Sequence, residues 1–356
     1  MKTRTHLTGL GLVMLLAQAQ SQAAVTSARV DRNTPDSLTL NWQDTNPVDI
    51  YVGDRPGFTL KEAQLLSRGE RSGQYAVASA DLKRRYFLLV DQQDHQQREV
   101  AERQVPLAQG SNFRDVGGYA TTNGKHVRWG QLYRSGGQPL LTPADVDQVK
   151  ALGVTLLVDL RSSEERVIAP SVIGGIPYTA VGYSMGALMR STGSGSNEIT
   201  NGADVYRNFP QLLAPQLRIL FSQLLTKPEP IAYNCSAGQD RTGFVTAVIL
   251  TALGVPYDTV VEDYHLSTTL RRPEYELPVL DPVAYANNPV AQYFVKAQQS
   301  AAWKTPQPLK DAEGRPFLRG AFEEINAKWG SMDAYLDKEL GVGPQQLAAL
   351  RKQYLR

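Results

Sequence analysis

Between residues 25 and 107, apolar and polar positions alternate in short runs. Ser37-Leu-Thr-Leu-Asn-Trp-Gln43 keeps a period of two, and 48–52, 74–78, 85–90 and 99–105 read the same way. That period turns one face of an extended chain to a core and the other to solvent. Turn-forming groups such as Asn46-Pro47, Pro56-Gly57 and Ser72-Gly73 separate the runs. The pattern predicts a small β-sandwich over 24–107 with Trp42 in its core.

Past Ala108-Gln109-Gly110-Ser111 the pattern changes. Continuous apolar runs at 154–158, 177–181 and 231–233, with 131–134 before them, alternate with helical periodicity at 209–225 and 242–253. Thr142-Pro143 reads as an N-cap followed by proline in the first turn. Strand–helix alternation predicts an α/β domain with a mostly parallel sheet over 108–356. Residues 273–318 carry seven prolines, have a single helical stretch near 290–299, and read as a lid-like insertion. The stretch 191–197 is rich in Ser and Gly and reads as a mobile loop that could join such a lid. The chain closes on helices at 319–329, 332–340 and 344–354, with Gly330 and Gly341 as stops.

The first residues follow neither pattern. Lys2 and Arg4 precede an apolar run from 7 to 17, then Ala17-Gln-Ala19 and Ser21-Gln-Ala23 offer small-residue cleavage sites. This predicts a secretory signal peptide over 1–23 and a secreted or periplasmic protein. The run is shorter than the ~20 residues a bilayer span needs, so no integral membrane segment is expected after signal removal. Of 356 residues, 37 are Lys or Arg and 35 Asp or Glu, a balance that gives no bulk-charge reason to expect a nucleic-acid partner. A single cysteine, Cys235, excludes an intrachain disulfide framework and a cysteine-cluster metal site, and four scattered histidines make no metal centre. In an oxidising compartment a lone thiol is buried or used.

Cys235 stands where it can be used. Ile231-Ala-Tyr-Asn-Cys235-Ser-Ala-Gly-Gln-Asp240-Arg241-Thr-Gly243 reads as strand, loop and helix start. Backbone N–H groups of Ser236, Ala237, Gly238, Gln239 and Asp240 can converge on phosphate oxygens, helped by the positive end of the following helix. Arg241 offers a planar fork for two phosphate oxygens, Thr242 a hydroxyl beside the sulfur, and Gly238 the freedom for a tight loop. The same positive setting favours a thiolate nucleophile.

This segment resembles the Cys-x5-Arg signature of cysteine-based tyrosine phosphatases, in the form found in bacterial secreted, atypical tyrosine and dual-specificity phosphatases. Asn112-Phe-Arg-Asp-Val-Gly-Gly-Tyr119, Leu132-Tyr-Arg-Ser135, Val158-Asp-Leu-Arg-Ser162, Glu262-Asp-Tyr264 and Tyr335-Leu-x4-Leu340-Gly-Val342 are similar too. The likeness covers about 107–356. The sandwich ahead of it is similar, in pattern alone, to fibronectin type III or immunoglobulin-like modules. Two positions depart from the family. Asn234 stands where His is usual, and Gln239 where the atypical members carry Lys, which tilts the substrate from polyphosphorylated inositol toward phosphotyrosine.

The resemblance implies a phosphatase of phosphotyrosine, with phosphoserine and phosphothreonine as further substrates, working through a cysteinyl-phosphate without metal or organic cofactor. It makes Asp240 the candidate general acid. Asp159, ending a buried strand, is a second candidate that could instead anchor Arg161. Asp204 is a third, although its surroundings lack the Trp-Pro of a mobile acid loop. Arg114, Asp115 and Arg134 belong at the site rim or in internal ion pairs. The rival readings are a phosphoinositide phosphatase and a catalytically degenerate binding protein.

Overall fold

The computed structural model describes residues 25–79, 83–185 and 202–356. The expected signal segment 1–23 and the loop 191–197 lie outside the described residues.

Seven strands open the chain: β1 (Thr26–Thr34), β2 (Ser37–Gln43), β3 (Val48–Gly53), β4 (Gln64–Glu70), β5 (Gln74–Ala78), β6 (Tyr86–Asp91) and β7 (Gln97–Ala101). They form two antiparallel sheets, ordered β1-β2-β5 and β4-β3-β6-β7. Val30, Leu38, Leu40 and Trp42 of the first sheet meet Ile50, Val52, Phe87, Leu89 and Val100 of the second in one buried cluster. The period-two residues thus face each other across a sandwich. Strands β1 and β4 escape the sequence pattern because they bury so little: only Val30 is buried in β1, and nothing in β4. The run read as 99–105 ends as a strand at Ala101. Its continuation pairs instead with the next sheet, where Val105 N donates to Phe113 O and Asp115 N to Arg103 O, at 3.0 and 2.9 Å.

That next sheet holds β8 (Arg114–Asp115), β9 (Leu132–Ser135), β10 (Leu156–Asp159), β11 (Tyr178–Ala180) and β12 (Ile231–Asn234), ordered β11-β10-β12-β9-β8. The first four are parallel, and β8 runs antiparallel to β9. Leu132, Val158, Ile231 and Tyr233 face one side, packing against Phe244, Val248, Leu217 and Leu220 of the helices Arg241–Ala252 and Ala214–Thr226. Tyr133, Leu157 and Ala232 face the other, against Val149 of the helix Pro143–Ala151. All four residues of β12 are buried, as a strand covered on both faces must be.

Local signals act as their chemistry dictates. Thr142 caps Pro143–Ala151 and Asp145 answers its backbone N–H, a complete capping box. The helix expected over 209–225 is two, Phe209–Leu212 and Ala214–Thr226, because Pro215 has no N–H to continue the first ladder. Residues 273–318 hold a 3₁₀ turn at Pro273–Tyr275 and helices Pro289–Gln299 and Ala301–Lys304. Leu277, Leu280, Val290 and Phe294 pack there on Ile168 and Ala169. Strands β9, β10 and β12, parallel and side by side, end together at Ser135, Asp159 and Asn234. The carboxyl edge of a parallel sheet is where α/β proteins gather chemistry.

Candidate active site

Cys235 follows β12 directly and is buried, and the helix Arg241–Ala252 starts at the arginine. Neighbours hold the loop between them by its carbonyls. Gly137 N donates to Ser236 O at 2.7 Å, Asn112 Nδ2 to Ala237 O at 3.1 Å and Gly238 O at 2.9 Å, and Arg134 Nη2 to Gly238 O at 2.8 Å. The backbone N–H groups of 236–240 have no partner among the described residues. A loop whose carbonyls are bound and whose amides are free is a cradle for an anion. Gly238 is required twice over. Its φ is +64°, and a Cβ there would lie 2.4 Å from the Ser135 carbonyl carbon.

Arg241 is oriented by a residue that the sequence reading did not single out. Glu165 accepts from Arg241 Nη1 and Nη2, both at 2.7 Å, from Ser236 Oγ at 2.6 Å and from Ser162 N at 2.9 Å. Arg241 Nη1 also donates to Tyr183 Oη at 2.5 Å. Of the five guanidinium N–H groups this leaves Nε–H and one on Nη2, an adjacent pair suited to two phosphate oxygens. Burial pushes the Glu165 carboxyl up, but the Arg241 charge together with the hydrogen bonds from Arg241, Ser236 and Ser162 N outweighs it, and the carboxyl is lowered to about 2. Burial likewise works against the Arg241 charge, and Glu165 holds its pKa well above the ordinary value. The signal for Glu165 was present: Ser162-x-x-Glu165 is a capping box on the helix Ser163–Ile168, straight after a buried strand.

Beneath the loop, Asp263 gathers a second network. It accepts from Arg114 Nε at 3.1 Å, from Tyr119 Oη at 2.8 Å and from Arg134 Nη1. Arg114 also bonds Asn112 Oδ1. Arg114 and Arg134 are fully buried, so they sit under the site in internal ion pairs and not at its rim. Asp263, fully buried, has its carboxyl pushed up by that burial and drawn far below the usual range by Arg114 and Arg134.

The acid candidates separate clearly. Asp240, half-buried at the helix start, accepts from Tyr206 Oη, which in turn accepts from Tyr264 Oη at 2.7 Å. Asp159 is buried, with Oδ1 taken by Arg161 N and Nε at 2.9 Å, and Oδ2 by Arg161 Nη2 at 2.6 Å and Tyr178 Oη at 2.8 Å. Asp204 lies in the helix Gly202–Tyr206 beside Arg207, at 3.8 Å. Gln239 Oε1 accepts from Arg271 Nη1 at 2.7 Å, and Arg271 forks onto Glu276. Thr242 is fully buried and its Oγ1 has no hydrogen-bond partner among the described residues. Asn234 Nδ2 donates to Cys235 O at 3.2 Å. Among the described residues no group of three His, Cys, Asp or Glu is placed to hold a metal ion, and no helix is long and apolar enough to cross a membrane.

A buried cysteine at a strand end, an amide cradle and an arginine with two free donors define the class of cysteine-dependent phosphatases. Residues 105–356 match the model of the tyrosine phosphatase family, and the chain belongs to that family. It is 30% identical over 261 residues to a protein of Cupriavidus necator named as a tyrosine-protein phosphatase, covering 69% of this chain and 86% of that protein. It is 32% identical over 195 residues to the triple specificity protein phosphatase PtpB of Mycobacterium tuberculosis, covering 46% and 68%. The crystal structure of P. aeruginosa TpbA is matched over 49% of this chain and 91% of that one, at 16% identity and a TM-score of 0.24.

Proposed function

We propose that this phosphatase hydrolyses phosphotyrosine esters of proteins or peptides in two displacements at Cys235. The observation that carries the reading is Arg241, clamped by Glu165 so that one pair of donors remains beside a loop of unpartnered amides. The Cys235 thiolate attacks phosphorus, an S–P bond forms and the P–O bond to tyrosine breaks. Loop amides and Arg241 take up the charge on the equatorial oxygens. Asp240 gives its proton to the departing phenolate oxygen. It then takes a proton from water as that water attacks phosphorus, the S–P bond breaks and phosphate leaves. Tyr206 holds the Asp240 carboxyl in place. Asp159 is assigned to positioning, since Arg161 and Tyr178 occupy both its oxygens.

The mycobacterial relative's name as a triple specificity protein phosphatase supports substrates beyond phosphotyrosine, with phosphoserine and phosphothreonine esters as the candidates. The basic start and short apolar run at the N-terminus support export to the periplasm or beyond. The test is turnover of p-nitrophenyl phosphate and a phosphotyrosine peptide with and without orthovanadate, alongside Cys235→Ser. Vanadate-sensitive turnover abolished by the substitution is expected. Turnover that survives Cys235→Ser contradicts the reading.

A further inference from the structure

The sandwich and the phosphatase domain share more than a junction. Phe58, Tyr86, Leu88 and Ala101 of the N-terminal part form one buried cluster with Trp129, whose Nε1 donates to Glu99 O at 3.1 Å. Arg98 Nη2 donates to Gly118 O at 2.8 Å, and Arg356 pairs with Glu99. A covered apolar seam with interlocked polar groups holds two bodies in one relative position.

Two arginines of the N-terminal part reach further. Arg84 Nη2 donates to Asp115 Oδ2 at 2.7 Å, and its guanidinium lies over the rings of Tyr86 at 5.3 Å and Tyr133 at 5.5 Å. Asp115 is fully buried and also accepts from Gly117 N and Gly130 N, both at 2.7 Å. Arg103 Nη1 donates to Asp115 O and Gly117 O, both at 2.9 Å. Its guanidinium stacks 4.0 Å from the Tyr119 ring, and Tyr119 Oη donates to Asp263.

These contacts end one residue from the phosphate loop's supports. In the paired strands β8 and β9, Asp115 stands opposite Tyr133 and Arg114 opposite Arg134. Successive side chains of a strand point to opposite faces. Asp115 and Tyr133 therefore meet Arg84 of the sandwich, while Arg114 and Arg134 meet Asp263 and the loop carbonyl of Gly238 on the other face. One short strand pair thus carries the sandwich contacts on one face and the supports of the phosphate loop on the other.

We infer that the N-terminal sandwich is a fixed brace of the phosphate loop, with Arg84 and Arg103 as positioning residues acting through Asp115 and Tyr119. Both precede the matched family segment, which begins at residue 105. The inference rests on the phosphatase reading and gives the sandwich a part in catalysis without a ligand of its own. A loop displaced by a fraction of its hydrogen-bond geometry binds the transferring phosphoryl group badly, even with every catalytic residue present.

The test uses the full chain with Arg103→Met, Arg103→Lys and Arg84→Met. Folded fraction is read by circular dichroism, kcat and KM for p-nitrophenyl phosphate per folded molecule, and the inhibition constant for orthovanadate as the probe of loop geometry. Arg103→Met is expected to lower kcat by at least about tenfold and to weaken vanadate by a similar factor, with Arg103→Lys recovering part of both. Arg84→Met leaves Asp115 buried without its cation; where it folds, it follows the same pattern, and where it does not, Arg103→Met decides. Wild-type kcat and vanadate inhibition in folded Arg103→Met, with only thermal stability reduced, overturn the inference. An inactive wild-type chain overturns the phosphatase reading instead.

Discussion

Glu165→Gln tests how the catalytic arginine is held. The substitution keeps the side-chain shape but removes the charge that two Arg241 nitrogens and Ser236 Oγ share. Folding lowers this carboxyl from 4.5 to about 2, worth about 3 kcal/mol at about 1.36 kcal/mol for each tenfold change in proton affinity. Breaking a buried ion pair by neutralising one partner costs a comparable ~3–5 kcal/mol. The sign follows from the depressed carboxyl: its contribution is complete above pH 4.5 and fades as pH falls toward about 2. Urea unfolding of wild type and variant across this range is the assay. The two are expected to differ by about 3 kcal/mol at neutral pH and to converge as the solution is acidified. Activity at neutral pH is expected to fall at least about tenfold, with weaker vanadate inhibition, because Arg241 loses the clamp that aims its free donors. A neutral-pH difference under about 0.5 kcal/mol, or one unchanged by acid, refutes the reasoning.

Asp240→Asn is expected to slow phenyl phosphate far more than p-nitrophenyl phosphate, whose leaving group departs without a proton. Equal slowing removes Asp240 from the acid role, and the same selectivity in Asp159→Asn would transfer it there. Gly238→Ala combines a positive φ with a Cβ driven into Ser135. It is expected to cost roughly 1–3 kcal/mol of stability and most of the activity, read by thermal unfolding and turnover. Cell fractionation with N-terminal sequencing is expected to find an exported chain cut near residue 23; a cytoplasmic protein retaining Lys2 and Arg4 contradicts export.

What was legible in the sequence is what local chemistry fixes. Strand, loop and helix around Cys235 followed from an apolar run, a glycine and an arginine at one spacing. The sandwich core followed from period two, since Leu38, Leu40 and Trp42 all face inward. Strands β1 and β4 stayed hidden because these two bury almost no side chains and so leave little apolar alternation in the sequence. Asp159 stayed ambiguous until its two oxygens were seen on Arg161 and Tyr178. Arg114 and Arg134 were open between rim and interior, because only the tertiary fold brings Asp263 between them. Glu165 lies 76 residues from Arg241, and nothing in one sequence links them. Arg84 and Arg103 went unread for the same reason: their partners lie across a boundary that composition draws and the packing does not respect.

The central claim is that Cys235 carries the phosphoryl group in transit. Rapid acid quench during turnover of a phosphotyrosine peptide, followed by mass spectrometry of the peptide containing Cys235, tests it directly. A single phosphoryl group on Cys235, formed fast enough to account for turnover and absent from Cys235→Ser, is the predicted result. Steady turnover with Cys235 unmodified at every quench time contradicts it.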